Sequence, residues 1–229
     1  MNETPFRQAP ILVLGSCRLT SSLLACLLRA GHRVTLCSPS SADVEDRLDA
    51  YLRATEGPSL AGLDYAHCAR LADLPDPSAY VLALAITPEH AVAKTALLRQ
   101  LEATLDAGTV LAVNTEGIPL DVLQHGCRRP ERVLGANWAE PVHTTLFLEL
   151  ITNDRTHPDL AEALCQTARD DWGKDPYVLR GGQGIRGRLL SALLREAFFL
   201  VENGYVSVEG VDRCCRNDAG YYLPFAGNF

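Results

Sequence analysis

The chain has 229 residues, of which 47% are hydrophobic and 21% are charged, so it is long enough for one large core and a smaller second unit. Its net charge of -7 argues against nucleic-acid and anionic-membrane partners, because both require a clustered positive face and the basic residues here are scattered. No apolar stretch approaches the roughly 20 residues of a membrane span and no signal peptide is visible, so we expect a cytoplasmic protein.

The first forty residues show the pattern of a strand, a tight turn, a helix and a second strand. Ile11 to Leu14 is a continuous apolar run that ends at Gly15, and leucines then recur at helical spacing until Gly31. An apolar strand resumes at Val34 to Leu36. A strand-helix-strand unit of this kind implies a parallel sheet.

The same alternation continues to residue 179. Helices are predicted over Asp43 to Leu52, Glu89 to Leu105 and Asp159 to Trp172. Strands are predicted over Tyr80 to Ile86, Thr109 to Val113, Arg132 to Asn137, Phe147 to Ile151 and Tyr177 to Leu179. Little regular structure is expected over Glu56 to Asp64, and Trp138 to His143 is predicted to be a loop. The order favours an α/β fold, a Rossmann-type, doubly wound and mostly parallel sheet over residues 1–182.

The character of the chain changes after residue 182. Apolar residues from Leu189 to Val201 form a broad stripe on one long helix, so residues 183–229 are predicted to form a small, shortened all-α domain. Tyr221 to Phe229 is aromatic and apolar, with no partner helix to cover it. Because the stripe and the tail both need cover, we expect a homodimer.

Eight cysteines occur at irregular spacings and without a CxxC pair. This pattern predicts neither a zinc site nor a disulfide framework, and we expect no metal and buried thiols in a reducing compartment. The eight are Cys17, Cys26, Cys37, Cys68, Cys127, Cys165, Cys214 and Cys215.

Five short motifs, taken in order, resemble the 3-hydroxyacyl-CoA dehydrogenase family. They are the strand and helix of residues 11–36, the Asn114-Thr115 step, the run from Arg129 to Gly135, the helix from Arg188 to Ala197, and Val211-Asp212-Arg213. The resemblance implies NAD as cofactor and hydride transfer from C3 of a hydroxyacyl thioester. In the family a histidine takes the hydroxyl proton and a glutamate orients that histidine.

The catalytic motif departs from the family pattern. Where the family reads Gly-x-His-Phe-x-Asn-Pro, this chain reads Gly-Ala-Asn-Trp-Ala-Glu-Pro over residues 135–141, so Asn137 stands at the histidine position. A carboxamide cannot accept a proton at neutral pH. The orienting glutamate corresponds to Glu149, the family serine to Glu116, and the family asparagine at the start of the last helix to Gly187.

The cofactor motif is weakened as well. The family's Gly-x-Gly-x-x-Gly turn corresponds to Gly15, Cys17 and Thr20, and the side chain of Cys17 would crowd the pyrophosphate. Ser38 stands where the family carries an acid for the adenosine ribose hydroxyls. No arginine follows Ser38 closely, so the sequence does not favour NADP over NAD.

Glu89 and Lys94 keep the family spacing at the start of a helix, and Asn114 keeps its place at a strand end. The resemblance implies that these three residues line the nicotinamide half of the cleft. The alternative is that Glu89 simply favours the positive helix N-terminus and that Lys94 is solvated. Residues 53–76 replace the family's long CoA-binding arm with a short, turn-rich segment, which argues against a CoA substrate.

Strand ends of a parallel sheet point into one crevice, so we expect Glu116, Asn137 and Glu149 to face a common space. Two carboxylates held close together would raise the pKa of one of them and supply a general acid or base. The candidate dyad for a changed reaction is therefore Glu116 or His143 with Glu149 or Glu140. The alternative is that His143 is an exposed or capping histidine and Glu140 a solvated loop charge.

Two functions remain open from the sequence. The leading hypothesis is an NAD-dependent oxidoreductase that acts on a small hydroxy or oxo acid, or on an acyl group bound to a carrier, with rearranged catalysis. The second is a catalytically silent relative that binds a small ligand or a protein partner. The residues that separate these hypotheses are Cys17, Ser38 and Asn137.

Overall fold

The computed structural model describes residues 5–55, 57–181 and 184–220. The chain divides into two compact units, Met1–Gly184 and Ile185–Phe229. The apolar tail predicted over Tyr221 to Phe229 lies outside the described residues.

The first unit contains strands β1 (Ile11–Leu14), β2 (Val34–Cys37), β3 (Tyr65–Cys68), β4 (Leu82–Ala85), β5 (Val110–Val113), β6 (Val133–Trp138), β7 (Phe147–Thr152) and β8 (Asp175–Arg180). In the described part of the chain they form one eight-stranded sheet in the order β3-β2-β1-β4-β5-β6-β7-β8. Neighbouring strands from β3 to β6 are parallel, β7 is antiparallel to β6, and β8 is parallel to β7. The predicted mostly parallel, doubly wound sheet is confirmed.

Five helices of the first unit are α1 (Arg18–Arg29), α2 (Ala42–Ala54), α3 (Ala91–Thr104), α4 (Leu120–Gln124) and α5 (Pro158–Asp170). Helices α1, α2 and α5 share one apolar core with one face of the sheet, and α3 and α4 share a second core with the other face. Strand β1 shows why its sequence is continuously apolar: Ile11 and Val13 belong to the first core, Leu12 and Leu14 to the second.

Two regular elements gave no sequence signal. Strand β3 lies at the edge of the sheet, where only Cys68 is buried, so it lacks the apolar run by which the other parallel strands were predicted. Helix α4 has five residues, too few to show helical periodicity. Strand β3 lies in the segment that was predicted to be turn-rich, and no element was predicted for the segment that contains α4.

The second unit contains α6 (Ile185–Glu202) and α7 (Val208–Cys214), followed by a π-helical turn over Cys215–Ala219. The predicted apolar stripe lies on α6, where six large apolar side chains are between 48% and 65% exposed. They are Leu189, Leu190, Leu193, Leu194, Phe198 and Phe199. None of the described helices has the length and hydropathy that crossing a membrane requires.

Candidate functional site

The turn after β1 requires glycine at one position. Gly15 has a φ of +144°, and a Cβ atom there would lie 2.5 Å from the carbonyl oxygen of Ile86 and 2.5 Å from Oγ1 of Thr20. The side chain of the N-cap residue Cys17 accepts no hydrogen bond from a backbone N–H of α1, so the first N–H groups of this helix carry no side-chain cap. Such a turn and helix start fit the pyrophosphate of a dinucleotide. Cys17 is exposed, with its Sγ 3.5 Å from Oγ1 of Thr20.

Two polar residues lie near this turn, one directly after β2 and one in α2. Ser38 directly follows β2, is 1% exposed, and its Oγ donates to the carbonyl oxygen of Ser40 at 2.8 Å. Arg47 of α2 donates from Nη2 to the carbonyl oxygen of Ser16 at 2.9 Å and from Nε to Oγ of Ser21 at 3.2 Å. Sequence analysis missed Arg47, because a helix contact with a turn 31 residues earlier leaves no local signal.

On the other side of β1, the side chain of Lys94 is fully buried. Its Nζ donates to the carbonyl oxygen and to Oδ1 of Asn114, at 2.6 and 2.9 Å, and to the carbonyl oxygen of Thr87 at 3.1 Å. Burial lowers the pKa of Lys94, and the carboxylate of Glu89, with Oε2 3.5 Å from Nζ, partly opposes that shift. The alternative of a solvated Lys94 is therefore wrong.

Glu89 binds a loop and does not cap its own helix α3. Its Oε1 accepts hydrogen bonds from three consecutive backbone N–H groups, those of Glu116, Gly117 and Ile118, at 3.0, 3.0 and 3.1 Å. Burial by itself would raise the pKa of Glu89. The N–H groups of Gly117 and Ile118, together with Lys94, outweigh burial and hold this pKa below its usual value. The carboxylate thus fixes the backbone of the loop that follows β5.

Asn137 and Glu149 do lie together, and Tyr177 joins them across three adjacent strands. Oδ1 of Asn137 accepts from the backbone N–H of Thr115 at 2.7 Å. Nδ2 of Asn137 donates to the carbonyl oxygen of Thr115 at 2.7 Å and to Oε1 of Glu149 at 3.0 Å. The hydroxyl of Tyr177 donates to Oε2 of Glu149 at 2.9 Å. A Cβ atom at Gly184 would collide with Oε1 of Glu149, so the backbone there closes over the carboxylate.

These contacts use most of the hydrogen-bonding capacity of the Asn137 amide. Both N–H groups of Nδ2 are donated and one lone pair of Oδ1 is occupied, and Asn137 is 1% exposed. Glu149 is fully buried. The pair therefore ties the ends of β5, β6 and β7 together, and neither amide atom can take a proton from a substrate. Sequence analysis did not assign a role to Tyr177, whose place opposite Glu149 depends on the pairing of β7 with β8.

Glu116 follows Thr115 at the same edge of the sheet, and its side chain is exposed. Its backbone N–H is held by Glu89, while the preceding residue is held by Asn137. The structure thus brings the backbone of Glu116 next to the buried pair of Asn137 and Glu149.

None of the hydrogen bonds of this group in the described residues involves His143, and the pairing of His143 with Glu149 or Glu140 stays a prediction. The loop after β6 runs along α1: exposed Glu140 forms an ion pair with Arg18, the first residue of this helix, at 2.8 Å. His143 shares a cavity with Arg29, the last residue of the same helix. Val142, the residue before His143, donates its backbone N–H to Oγ of Ser22 in α1 at 3.1 Å.

Burial lowers the pKa of His143, and the positive charges of Arg29 and Lys174 lower it further. Its ring packs against Tyr51, with the ring centroids 4.7 Å apart. His143 is neither capping nor fully exposed, and Glu140 is paired with Arg18 and not simply solvated.

Two dehydrogenases are similar to this chain in sequence. The chain is 31% identical over 141 residues to the 5-formyl-3-hydroxy-2-methylpyridine 4-carboxylate 5-dehydrogenase of Mesorhizobium japonicum, covering 61% of this chain and 46% of that protein. It is 29% identical over 143 residues to the L-carnitine dehydrogenase of Bacillus cereus, covering 62% and 44%. The chain therefore spans less than half the length of either relative.

Solved structures share the fold. A 5-formyl-3-hydroxy-2-methylpyridine 4-carboxylic acid 5-dehydrogenase, described as an NAD⁺-dependent dismutase, matches with a TM-score of 0.81 and 27% identity over 93% of this chain and 72% of that chain. The 3-hydroxybutyryl-CoA dehydrogenase of Escherichia coli matches in fold, with a TM-score of 0.81, 24% identity, and coverage of 93% and 47%.

A family model assigns the chain to a family. The assignment agrees with the Gly15 turn, the buried Lys94 and the position of Asn137. The model described as 3-hydroxyacyl-CoA dehydrogenase, NAD binding domain, matches residues 10–181, which are three quarters of the chain. This match confirms the resemblance and identifies NAD as the cofactor of the fold. The chain belongs to the 3-hydroxyacyl-CoA dehydrogenase family and carries its NAD-binding domain.

Proposed function

We propose that this protein is an NAD-dependent oxidoreductase that transfers hydride between NAD and a hydroxy or oxo acid, or an acyl group bound to a carrier, with rearranged proton-handling residues. The observation that carries the proposal is the buried Lys94, which is bound to Asn114 and lies 3.5 Å from Glu89 beside the ends of β4 and β5. A buried ammonium group is unfavourable unless it is paired, so its retention at this edge supports a working cofactor crevice.

Two relatives identified by sequence support a small substrate, because one is named for a pyridine carboxylate and the other for L-carnitine. The similar Escherichia coli structure, in contrast, is named for a CoA thioester. The short segment of residues 53–76, which forms β3 and 3-10 turns in place of a helical arm, supports a small substrate as well. A small hydroxy or oxo acid is therefore the substrate class that we favour.

The chain's own residues divide the work between two halves of the crevice. The Gly15 turn and the start of α1 would hold the pyrophosphate, and Ser38 would contact the adenosine ribose. Lys94, Asn114 and Glu89 would keep the loop at residues 116–118 in place beside the nicotinamide. When bound, NAD supplies the hydride acceptor or donor.

We assign proton transfer to Glu116, because the amide of Asn137 cannot accept a proton. Glu116 is exposed, and its backbone is fixed by Glu89 on one side and, through Thr115, by Asn137 on the other. The buried carboxylate of Glu149 holds Asn137 and Tyr177 in position. In this assignment Glu149 is a positioning residue, and Glu116 is the catalytic carboxylate.

Titration of NADH fluorescence and steady-state assays with a panel of 3-hydroxy acids and their CoA thioesters test the proposal. We expect NADH binding below about 1 mM, and a loss of kcat of about 100-fold in Glu116→Gln. Glu131→Gln, which alters another exposed glutamate, is the matched control and should keep the activity. An absence of saturation by NADH at several times that concentration would contradict the proposal.

The hydrogen bonds of Asn137 to Thr115 and Glu149 favour a second candidate, a silent relative that binds a ligand or a protein partner without hydride transfer. In that case NADH would bind, but no member of the panel would be oxidised. Glu116→Gln would then leave the affinity for NADH unchanged. Asn137→His separates the candidates further. A gain of 3-hydroxyacyl oxidation in that variant would show that loss of the imidazole is the main defect of the site.

We further propose that residues 1–182 act as the NAD-binding domain and residues 183–229 as a helical domain that pairs with a second copy of the chain. The exposed apolar side chains of α6, such as Leu190 and Phe198, support a homodimer. Light scattering should give the mass of a dimer, and Leu190→Glu should give a monomer. A monomeric wild-type protein would contradict the pairing.

We also propose a cytoplasmic location. Cys37 and Cys68 are partners in the register of β2 and β3, and yet both are free thiols. Neighbouring unbridged cysteines fit a reducing compartment. Fractionation of the native cells should find the protein with the cytoplasmic enzymes, and recovery with an oxidising compartment would contradict this location.

A further inference from the structure

The turn after β1 passes directly into helix α1. The carbonyl oxygen of Cys17 accepts a hydrogen bond of the helical type from the N–H of Ser21 at 3.2 Å. The carbonyl group of Ser16 lies one residue before this bond, and Ser16, Cys17 and Arg18 are all exposed. The peptide between Ser16 and Cys17 therefore lies at the open surface of the turn, where a bound pyrophosphate would meet it.

The direction of this peptide decides what the turn offers to an anion. The peptide is trans, so its carbonyl oxygen and its N–H group point to opposite sides. A carbonyl oxygen that faces a phosphate repels it through its partial negative charge, whereas an N–H group that faces a phosphate donates a hydrogen bond. A phosphate site at this turn thus requires that the carbonyl group of Ser16 be held on the far side.

Arg47 of α2 holds that carbonyl group. Its Nη2 donates to the carbonyl oxygen of Ser16 at 2.9 Å, and its Nε donates to Oγ of Ser21 at 3.2 Å. Ser21 is fully buried in α1, and a guanidinium group is planar and rigid, so the two bonds fix the carbonyl group relative to both helices. The N–H group of Cys17 is thereby directed away from Arg47.

The charge of Arg47 is not neutralised by a bonded carboxylate. No ion pair among residues 5–55, 57–181 and 184–220 involves Arg47, whereas Arg53 on the same helix is paired with Asp49. The positive charge therefore remains beside the turn and adds to the positive end of the α1 dipole. Both charges attract a diphosphate group.

Arg47 is not needed to dock α2 onto the sheet. Val44, Leu48 and Leu52 of α2 are fully buried in the core that this helix shares with α1. Burial of these aliphatic side chains already holds the helix in place, because each contributes more than one half-buried hydrogen bond. The bond from Arg47 to Ser16 therefore acts on the turn and not on the packing of the helix.

We propose that Arg47 is a positioning residue of the pyrophosphate site, which holds the carbonyl group of Ser16 away from the cofactor and turns the N–H group of Cys17 toward it. The inference rests on the nucleotide binding of the proposed function and adds a residue to that site. Because the peptide already has the binding direction, the turn does not need to be ordered when the cofactor binds. This preorganisation offsets part of the crowding by the side chain of Cys17.

Ligands with and without a diphosphate group test this role. NADH and ADP-ribose contain the diphosphate, and adenosine lacks it. In titration calorimetry, Arg47→Gln should weaken the binding of NADH and ADP-ribose about tenfold and change that of adenosine less than about twofold. In steady-state assays the KM for NAD should rise about tenfold, with kcat within about twofold of the wild-type value. Arg53→Gln, on the same helix, is the matched control and should change none of these quantities.

Two further variants separate positioning of the turn from linkage of the two helices. Arg47→Lys keeps the charge and one donor for the carbonyl group of Ser16, so it should lose less than about threefold in NADH affinity. Ser21→Ala removes only the second acceptor and should also lose less than about threefold. A loss in Ser21→Ala as large as that in Arg47→Gln would show that Arg47 only links α1 to α2, and would overturn the proposal.

Thermal unfolding checks that each variant is folded. An Arg47→Gln protein that does not fold, or that loses adenosine and NADH to the same extent, would show that Arg47 is needed for packing, and would overturn the proposal. Equal NADH affinities of Arg47→Gln and the wild-type protein would overturn this inference alone. A wild-type protein that binds neither NADH nor ADP-ribose would overturn the proposed function as well, so the two failures are distinguishable.

Discussion

The sequence contains two lysines, Lys94 and Lys174, and both are buried, with 1% and 6% of their surface exposed. Lys94 lies at the cofactor edge of the sheet, bonded to Asn114 and Thr87, with the carboxylate of Glu89 beside it. Lys174 lies under the loop after β6, where its Nζ donates to the carbonyl oxygens of two loop residues, Val142 and Thr145.

Burial lowers the pKa of both lysines, and only Lys94 has a carboxylate beside it that opposes the shift. This difference indicates that the two lysines have different structural roles. The first organises a polar crevice, because it connects two strand ends and the loop at residues 116–118 through Glu89. The second holds the loop after β6 along α1, because its Nζ donates to two carbonyl oxygens of that loop and also interacts with the thiol of Cys26 in α1. His143, in the same loop, belongs to this structural cluster.

The largest expected effect comes from removing the crevice lysine. Lys94→Met should lower the free energy of unfolding by about 3 to 5 kcal/mol, because it leaves buried oxygens of Asn114 and Thr87 without a donor and Glu89 without its cation. Lys174→Met is the matched comparison and should lose about 1 to 3 kcal/mol, since the groups left without a donor are neutral. Urea unfolding measures both, and a larger loss for Lys174→Met would contradict the contrast.

Asn137 should rank next. Asn137→Ala leaves the buried N–H and carbonyl groups of Thr115 unpaired and removes a donor from Glu149, so we expect a loss of about 2 to 3 kcal/mol. Asn203→Ala removes one exposed asparagine from the turn directly after α6 and serves as the control, with an expected change below about 0.5 kcal/mol. Chemical denaturation measures the free energy of unfolding of both variants. Equal losses at the two positions would contradict the stabilising role of the Asn137 amide.

Glu89→Gln tests the charge beside Lys94 through pH. The pKa of Glu89 is lower in the folded chain than its ordinary value of 4.5, so the unfolded chain takes up the proton first as pH falls. The stabilisation is present above about pH 4.5 and is lost as pH falls through the lower folded value. Unfolding measured from about pH 3 to 7 should therefore show a flatter acid limb in Glu89→Gln, and an unchanged limb would show that Glu89 does not contribute.

The smallest effect is expected at His143. Its pKa is below the ordinary 6.5 in the folded chain, so the unfolded chain binds the proton more readily and stability falls as pH drops below 6.5. His143→Gln should reduce that dependence and leave NADH affinity unchanged. Fluorescence titration checks the second point: a tenfold loss of NADH affinity would place His143 back in the cofactor site.

Much of the fold could be predicted because its signals are local. The parallel strands are continuous apolar runs, as in β1, since helices cover both of their faces. The edge strand β3 could not be predicted from an apolar run. It pairs only with β2 in the described sheet, and most of its side chains are not buried, so its sequence need not be apolar. Asn137 and Glu149 were expected to face a common space because strand ends of a parallel sheet meet at one edge. They do lie together, but as facing residues of the antiparallel pair of β6 and β7.

The sequence could not show how the loop between Asn137 and His143 is held. Glu140 pairs with Arg18, the backbone N–H of Val142 donates to Oγ of Ser22, and Lys174 donates to carbonyl oxygens of the loop, so the loop lies along α1. The sequence of the loop does not predict these contacts, because their partners lie in α1 and at Lys174, the residue before β8.

The sequence alone determined the wound sheet, the Gly15 turn and the replacement of a catalytic histidine by Asn137, because apolar periodicity and motif order are written along the chain. Only the tertiary structure decided that Lys94 is buried, that Tyr177 reaches Glu149 and that Arg47 lies on the Ser16 turn. Each of these contacts joins elements that are distant in sequence, and it forms only when packing of the apolar core brings their polar groups within hydrogen-bonding distance.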